Sequence, residues 1–364
     1  MKDTRNNRRW LAGAAGIGTV GTVAGMSTAR AVARRRGRDP HRGEDFGVFD
    51  ADRSCVVTTP DGVDLQIREV GPADARVTVV FSHGFCNSMR AYHFQRRDMV
   101  EMWGEQVRMV FYDQRGHGES TAGDPASYSI DQLGRDLETV LKLLTPRGSV
   151  VLVGHSMGGM TVLSHARQHP ERYGTTISGA AIISSAAQGL SRSPLGEILQ
   201  NPALEAARFT ARYAPGVIQR GRGLARSVLA PVLQAASFGN DEVSPTVARY
   251  NDGIIHRTPV PTMVGFLHAL SVHDEVDGLP ALARVPVLIA CGSADVLTTP
   301  EHSLEMAAEL PGAELLIVGD AGHMVQLEEP EVINDALQRL VVRATPNRMV
   351  ALTRRVRYRL RTRG

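Results

Sequence analysis

From Ser54 onward, short apolar runs alternate with amphipathic stretches, and the two repeat lengths, 2 and 3.6 residues, separate strands from helices. Cys55-Val56-Val57-Thr58 and Val63-Asp64-Leu65-Gln66-Ile67, joined through Pro60-Asp61-Gly62, predict an opening hairpin. Continuous apolar runs at Val77–Phe81, Val107–Tyr112, Val150–Val153, Thr176–Ser184, Val285–Cys291 and Ala313–Val318 predict strands covered on both faces. Between them, helical spacing predicts helices over Arg90–Trp103, Ser129–Leu144, Met157–His169, Pro300–Leu310 and Pro330–Val342. This is the pattern of an α/β fold, a doubly wound and mostly parallel sheet with helices on both faces.

One interval breaks the rhythm. About 100 residues from Ser185 to Arg284 separate two strands that would otherwise be neighbours. They carry helical stripes such as Leu195/Ile198/Leu199, Phe209/Tyr213, Leu224/Val228/Leu229 and Met263/Phe266/Leu267/Leu270, punctuated by prolines. The interval predicts a helical cap inserted late in the sheet and lying over its carboxyl edge, with Phe266 and Leu267 expected to shape the pocket beneath. The chain accordingly divides into a basic leader (1–45), a first core part (46–184), the cap (185–284), a second core part (285–344) and a basic tail (345–364).

The 364 residues, 43% hydrophobic, suffice for a full core and exclude a disordered or fibrous chain. Three cysteines, Cys55, Cys86 and Cys291, exclude a disulfide framework and a four-cysteine metal site, leaving room for a single bridge. The net charge of +3 is unevenly distributed: residues 1–40 carry +7, residues 345–364 carry +7, and the body between them −11. The basic pI therefore says nothing about nucleic-acid binding by the body, and no nucleic-acid partner is expected. In the leader, the uncharged run Trp10–Ala29 follows Arg8-Arg9 and precedes Arg34-Arg35-Arg36. It is long enough to cross a bilayer, but its Gly, Ala and Thr make insertion marginal. Three readings stand: an uncleaved anchor, a cleaved twin-arginine-like export signal ending near Ala29-Arg30-Ala31 or Ala31-Val32-Ala33, or a basic leader with no membrane role. The tail places Met349, Leu352, Val356 and Leu360 at helical spacing among arginines, which fits a basic amphipathic helix on anionic lipid or a solvated tail.

Gly154-His155-Ser156-Met157-Gly158 lies between an apolar strand and a helix. A Gly-x-Ser-x-Gly match alone is weak, but its required context of strand, sharp turn and helix is present. The turn predicts an exposed Ser156 hydroxyl and a Met157 N–H at a helix start, free to donate to an oxyanion. A hydroxyl needs a base. His323, in Asp320-Ala321-Gly322-His323, follows the last strand, and Asp295, in Cys291-Gly292-Ser293-Ala294-Asp295, follows the one before it. The order Ser, Asp, His agrees with a nucleophile-acid-base triad, with Asp320 and Asp274 as competing acids. Ser82-His83-Gly84-Phe85-Cys86 follows the first parallel strand and offers the Phe85 N–H as second oxyanion donor, with Cys86 read as a neutral wall residue. The polar loop Asp113-Gln114-Arg115-Gly116-His117-Gly118-Glu119-Ser120 is read as structural rather than catalytic.

Together His83-Gly84-Phe85, Asp113-x-Arg115-Gly116-x-Gly118-x-Ser120, Gly154-His155-Ser156-Met157-Gly158-Gly159, Gly292-x-x-Asp295 and Gly322-His323 resemble the α/β-hydrolase superfamily, in its serine esterase and monoacylglycerol-lipase-like branch. The resemblance covers about residues 54–343. It implies cleavage of carboxylic esters with apolar acyl chains through an acyl-enzyme, with neither metal nor organic cofactor. Ser156 stands where the superfamily's haloalkane dehalogenases and epoxide hydrolases have Asp, which argues against both. A perhydrolase or a C–C hydrolase would use the same triad; a non-catalytic binding module would normally have lost part of it.

If the leader is an anchor, the full-length protein should sediment with membranes and resist a high-salt wash, since ions do not screen apolar burial. A chain beginning near Gly43 should bind anionic vesicles through the tail alone and be released by salt. Full-length protein left in the cytosolic fraction with its N-terminus intact would overturn both the anchor and the export readings.

Overall fold

The computed structural model describes residues 39–145, 147–190, 230–239 and 243–345. The Trp10–Ala29 run, the basic tail beyond 345 and the apolar stripes between 195 and 229 lie outside the described residues. Among the described residues no helix is long and apolar enough to cross a membrane.

The strands are β1 (Arg53–Thr58), β2 (Asp64–Val70), β3 (Val77–Ser82), β4 (Val107–Tyr112), β5 (Ser149–His155), β6 (Ile177–Ile183), β7 (Val287–Gly292) and β8 (Glu314–Val318). They form one sheet in the order β1-β2-β4-β3-β5-β6-β7-β8. The hairpin β1-β2 joins β4 antiparallel, and every other pairing is parallel. In β3, β4 and β7 every residue is buried, as their unbroken apolar runs require, whereas β2 alternates at the margin of the sheet.

Helices cover both faces. α1 (His93–Trp103) and α7 (Pro330–Ala344) lie on one, where Met99, Trp103, Leu337 and Leu340 pack with Val79, Phe81 and Phe111. The other carries α2 (Ile130–Leu144), α3 (Met157–Gln168) and α6 (Pro300–Glu309), whose Leu137, Leu163 and Met306 pack with Val80, Leu152 and Ile289. Adjacent residues of one strand thus serve opposite layers, so a register slip of one residue would exchange the two cores. α2 starts where Ser129 Oγ accepts the Gln132 N–H at 3.1 Å, an N-cap. α1 begins at His93 rather than Arg90, because Met89–Tyr92 forms a 3-10 turn first.

Within the interval before β7, residues 230–237, α4 (Pro245–Arg257) and α5 (Val260–Ser271) are helical, and its described residues contain no strand. The segment 39–50 crosses from this insertion to the core: Asp39 accepts from Ser244 and Thr246, Glu44 pairs with His93 and Arg97, and Phe46 stacks on Tyr250 at 3.9 Å.

Arg115 is fully buried. Its Nε and Nη2 donate to Asp136 on α2 at 2.6 and 2.7 Å, and Nη1 donates to Asp61 in the hairpin turn at 2.8 Å. Asp113 accepts the Met89 and Glu119 N–H groups at 2.7 and 2.8 Å, and a Cβ on Gly118 would lie 2.0 Å from its carboxylate. Burial pushes the Asp113 carboxyl up to about 6 despite these two amides. The loop after β4 is thus held from inside.

Asp136→Ala removes the buried carboxylate of Arg115, leaving its Nε without a partner and the more exposed Asp61 as its remaining carboxylate, and should cost about 3 kcal/mol of stability. Arg339→Ala, which breaks the exposed Glu314–Arg339 pair, should cost under about 1 kcal/mol. Urea unfolding measures both, and equal losses would contradict the buried-pair account.

Candidate active site

β5 runs into α3 through a single residue. Ser156 has φ 54° and ψ −120°, a left-handed conformation that costs a side chain about 1–3 kcal/mol. The turn is this tight because the backbones touch: a Cβ on Gly154 would lie 2.3 Å from the Gly158 carbonyl oxygen, and one on Gly158 only 1.9 Å from that of Ser82. The Ser156 N–H donates to Ile183 O at 2.9 Å, and Ser185 Oγ donates to Ser156 O at 2.7 Å, so β6 and the second residue beyond its end hold the turn.

Two further loops meet it. Those after β7 and β8 pack so closely that a Cβ on Gly292 would lie 2.1 Å from Ala321 O. Ala294 N donates to Ala321 O at 2.9 Å. This brings His323 Nδ1 to 2.9 Å from Asp295 Oδ2, and His323 Nε2 to 2.9 Å from Ser156 Oγ. Because the carboxylate can only accept, Nδ1 carries the proton and Nε2 is left to accept the Ser156 hydroxyl. The structure therefore joins the three predicted residues in one hydrogen-bonded sequence. The competing acids are elsewhere: Asp320 and Asp274 are both exposed, and Asp274 accepts the Val276 N–H.

Asp295 is 3% exposed. Burial raises its carboxyl, but the neighbouring His323, with the Thr298 and Leu297 N–H groups at 3.0 and 2.9 Å, outweighs this and holds it below the usual range. Thr298 Oγ1 also donates to Asp295 Oδ2 at 2.9 Å. Nothing in the sequence pattern singled out Thr298, nor Glu328, whose carboxylate accepts the N–H of Gly322 at 2.8 Å and of Gly239 at 3.1 Å, joining the insertion to the His323 loop.

Met157 is the first residue of α3, where a backbone N–H has no acceptor within the helix. Among the described residues the Phe85 N–H donates to no backbone acceptor, and Phe85 lines the same cleft as Ser156. The loop bearing Phe85 is held by two buried imidazoles. Gln114 N donates to His83 Nε2 at 2.9 Å and Cys86 N donates to His117 Nε2 at 3.2 Å. Burial keeps both rings neutral, lowering His117 to about 4. Burial likewise drives the Cys86 thiol far above its ordinary value, in keeping with a neutral wall residue. All three cysteines are free.

The cleft before Ser156 is walled by Phe85, Met160, Leu233, Ile255, Leu270, Leu297 and Met324, with Asn87, Ser237 and Thr298 as polar neighbours. Leu270, not Phe266 or Leu267, reaches it from α5. Phe266 is fully buried, stacked on Tyr128 at 4.7 Å and against His117 at 5.3 Å, because α5 is covered on two sides. Among the described residues no group of three or more His, Cys, Asp or Glu is placed to hold a metal ion.

Residues 77–330 match the family described as alpha/beta hydrolase fold, and the chain belongs to it. It is 27% identical over 292 residues to a bifunctional esterase/perhydrolase of Acinetobacter calcoaceticus, covering 77% of this chain and 97% of that one. It is 26% identical over 265 residues to an sn-1-specific diacylglycerol lipase of Mus musculus, covering 71% and 79%. Among solved structures, a thermophilic esterase from Thermogutta terrifontis shares the fold, with a TM-score of 0.63 and 24% identity over 80% of this chain and 99% of that one.

Proposed function

We propose that the protein hydrolyses carboxylic esters bearing an apolar acyl group, with Ser156 as nucleophile, His323 as general base and acid, and Asp295 as the group that orients and stabilises His323. The observation that carries this reading is the hydrogen-bonded sequence Ser156 Oγ to His323 Nε2 at 2.9 Å and His323 Nδ1 to Asp295 at 2.9 Å. As Oγ attacks the ester carbonyl its proton passes to Nε2, and the charge that appears on His323 faces a carboxylate already ionised and fixed by three donors besides the imidazole. The Phe85 and Met157 N–H groups receive the oxyanion. His323 then protonates the departing alcohol, and water repeats the cycle on the acyl-enzyme.

The apolar walls favour an aliphatic or aromatic acyl group over a charged one. We assign residues 185–284 to a cap, supported by Leu233, Ile255 and Leu270, which come from its helices and line the cleft. A second reading, peracid formation on the same residues, is favoured by the resemblance to the bifunctional esterase/perhydrolase. Hydrogen peroxide would then take the place of water against the acyl-enzyme, and peracid yield measured against hydrolysis separates the two.

A fluorophosphonate should label the wild type and not Ser156→Ala. Ser156→Ala and His323→Ala should each lower ester turnover by about four to six orders of magnitude, and the double variant should lose little more, because the residues act as a unit. Multiplicative losses measured with p-nitrophenyl esters would contradict the assignment.

Leu270→Ala should reduce kcat/KM on long acyl chains about 5- to 20-fold relative to acetyl esters, in line with the apolar area lost. A uniform loss across chain lengths would assign Leu270 to packing alone.

A further inference from the structure

The triad leaves unused a titratable group that adjoins Ser156 and touches the loop of His323. His155, the last residue of β5, is 1% exposed. Its Nε2 lies 2.9 Å from the backbone oxygen of His323, and the two rings are 4.9 Å apart at 56°. On the opposite side a Cβ on Gly84 would lie 2.9 Å from His155 Nδ1 and 3.0 Å from Ser156 Cβ. One imidazole thus fills the space among the loop carrying Phe85, the turn carrying Ser156 and the loop carrying His323.

We propose that His155 is a positioning residue, which by donating from Nε2 to the His323 carbonyl holds the base at attacking distance from Ser156 and keeps the oxyanion loop in register with both. The inference rests on the triad reading above. A side chain swings about its own backbone, so fixing the peptide of His323 fixes where Nε2 can reach; a displacement near 1 Å costs about a hundredfold in rate.

The chemistry of the ring suits this task. A carbonyl oxygen only accepts, so Nε2 must carry the proton, while Nδ1 is buried and has no hydrogen-bond partner among the described residues. A second proton would have no acceptor and would place a cation beside an imidazole that itself becomes charged in each cycle. The titratable groups that act on His155, three on its ring and Tyr92 on its backbone, come from four elements. His323 follows β8, Asp295 follows β7 and is engaged by His323, His83 follows β3 and is held neutral, and Tyr92, in the 3-10 turn before α1, donates its phenol to Ser82 O at 2.8 Å. Burial first, and His323 second, lower His155 to about 3, so it stays neutral while His323 gains and loses its proton.

In the full-length protein, His155→Leu removes the donor and should lower kcat about 10- to 100-fold with KM within about twofold of wild type. His155→Gln keeps an N–H donor and should recover kcat to within about fivefold. An unchanged kcat in the Leu variant, or a Gln variant as slow as Leu with wild-type thermal stability in both, would overturn the proposal. Should the Leu variant not fold, nitrogen-15 labelling of the wild-type histidines decides: His155 should remain the neutral Nε2–H tautomer between about pH 5 and pH 8. Titration of that ring in this range, or the Nδ1–H tautomer, would overturn it. Fluorophosphonate labelling of Ser156 tests the triad separately, so a failure there is distinguishable from a failure here.

Discussion

The fold turns on one close approach of backbone to backbone. Between β5 and α3 the chain reverses within Ser156, and it can do so only because Gly154 and Gly158 present no Cβ to the peptides they touch, one at 2.3 Å and the other at 1.9 Å from where that carbon would stand. The left-handed conformation at Ser156 follows from the same contact, and it projects the hydroxyl out of the sheet to meet His323. Buried parallel strands on both sides hold the strained residue in place, with the carbonyl of Ile183 and the hydroxyl of Ser185 taking up its polar backbone groups. Strain at Ser156 is thus supported by the sheet rather than by the cleft.

Around this point the interior separates charge from neutrality. His83, His117 and His155 are buried rings kept uncharged, each spending its N–H on a backbone carbonyl. Asp295 is the buried carboxylate beside His323 that stays ionised, because its donors and the imidazole together outweigh the cost of burial. In the proposed reaction a proton released by Ser156 would therefore meet a single basic ring whose other nitrogen faces a fixed negative charge. The neighbouring imidazoles serve as hydrogen-bonding spacers that do not compete for that proton.

The sheet was legible because strands buried on both faces must be continuously apolar, and each of the six continuous apolar runs reappears with both ends within two residues in the structure. The loop residues Ser156, Asp295 and His323 were legible from their glycine-rich contexts after strands. Choosing Asp295 over Asp320 or Asp274 from spacing alone was not decisive; the choice needed the packing of Gly292 on Ala321, which joins the loops carrying Asp295 and His323, whereas Asp320 and Asp274 are exposed. Phe266 illustrates the opposite outcome. An apolar stripe on α5 marks burial, but this helix is covered both by the Tyr128 and His117 loop and by the cleft, and periodicity does not say which side a given residue serves. Thr298, Ser185 and Glu328 had no signal at all, since a polar residue in a loop reads as solvated until its partner is known.

The central claim is that Ser156 forms a covalent acyl intermediate. Its most direct test is to mix the protein with a slowly deacylating aryl ester, quench in acid within the first turnovers, and map the adduct by peptide mass spectrometry. The account predicts one acyl group on the peptide containing Ser156, accumulating with a burst of released phenol and absent when His323 is replaced by Ala. A full turnover with no adduct, or an acyl group carried by Cys86 or a histidine instead, would contradict it.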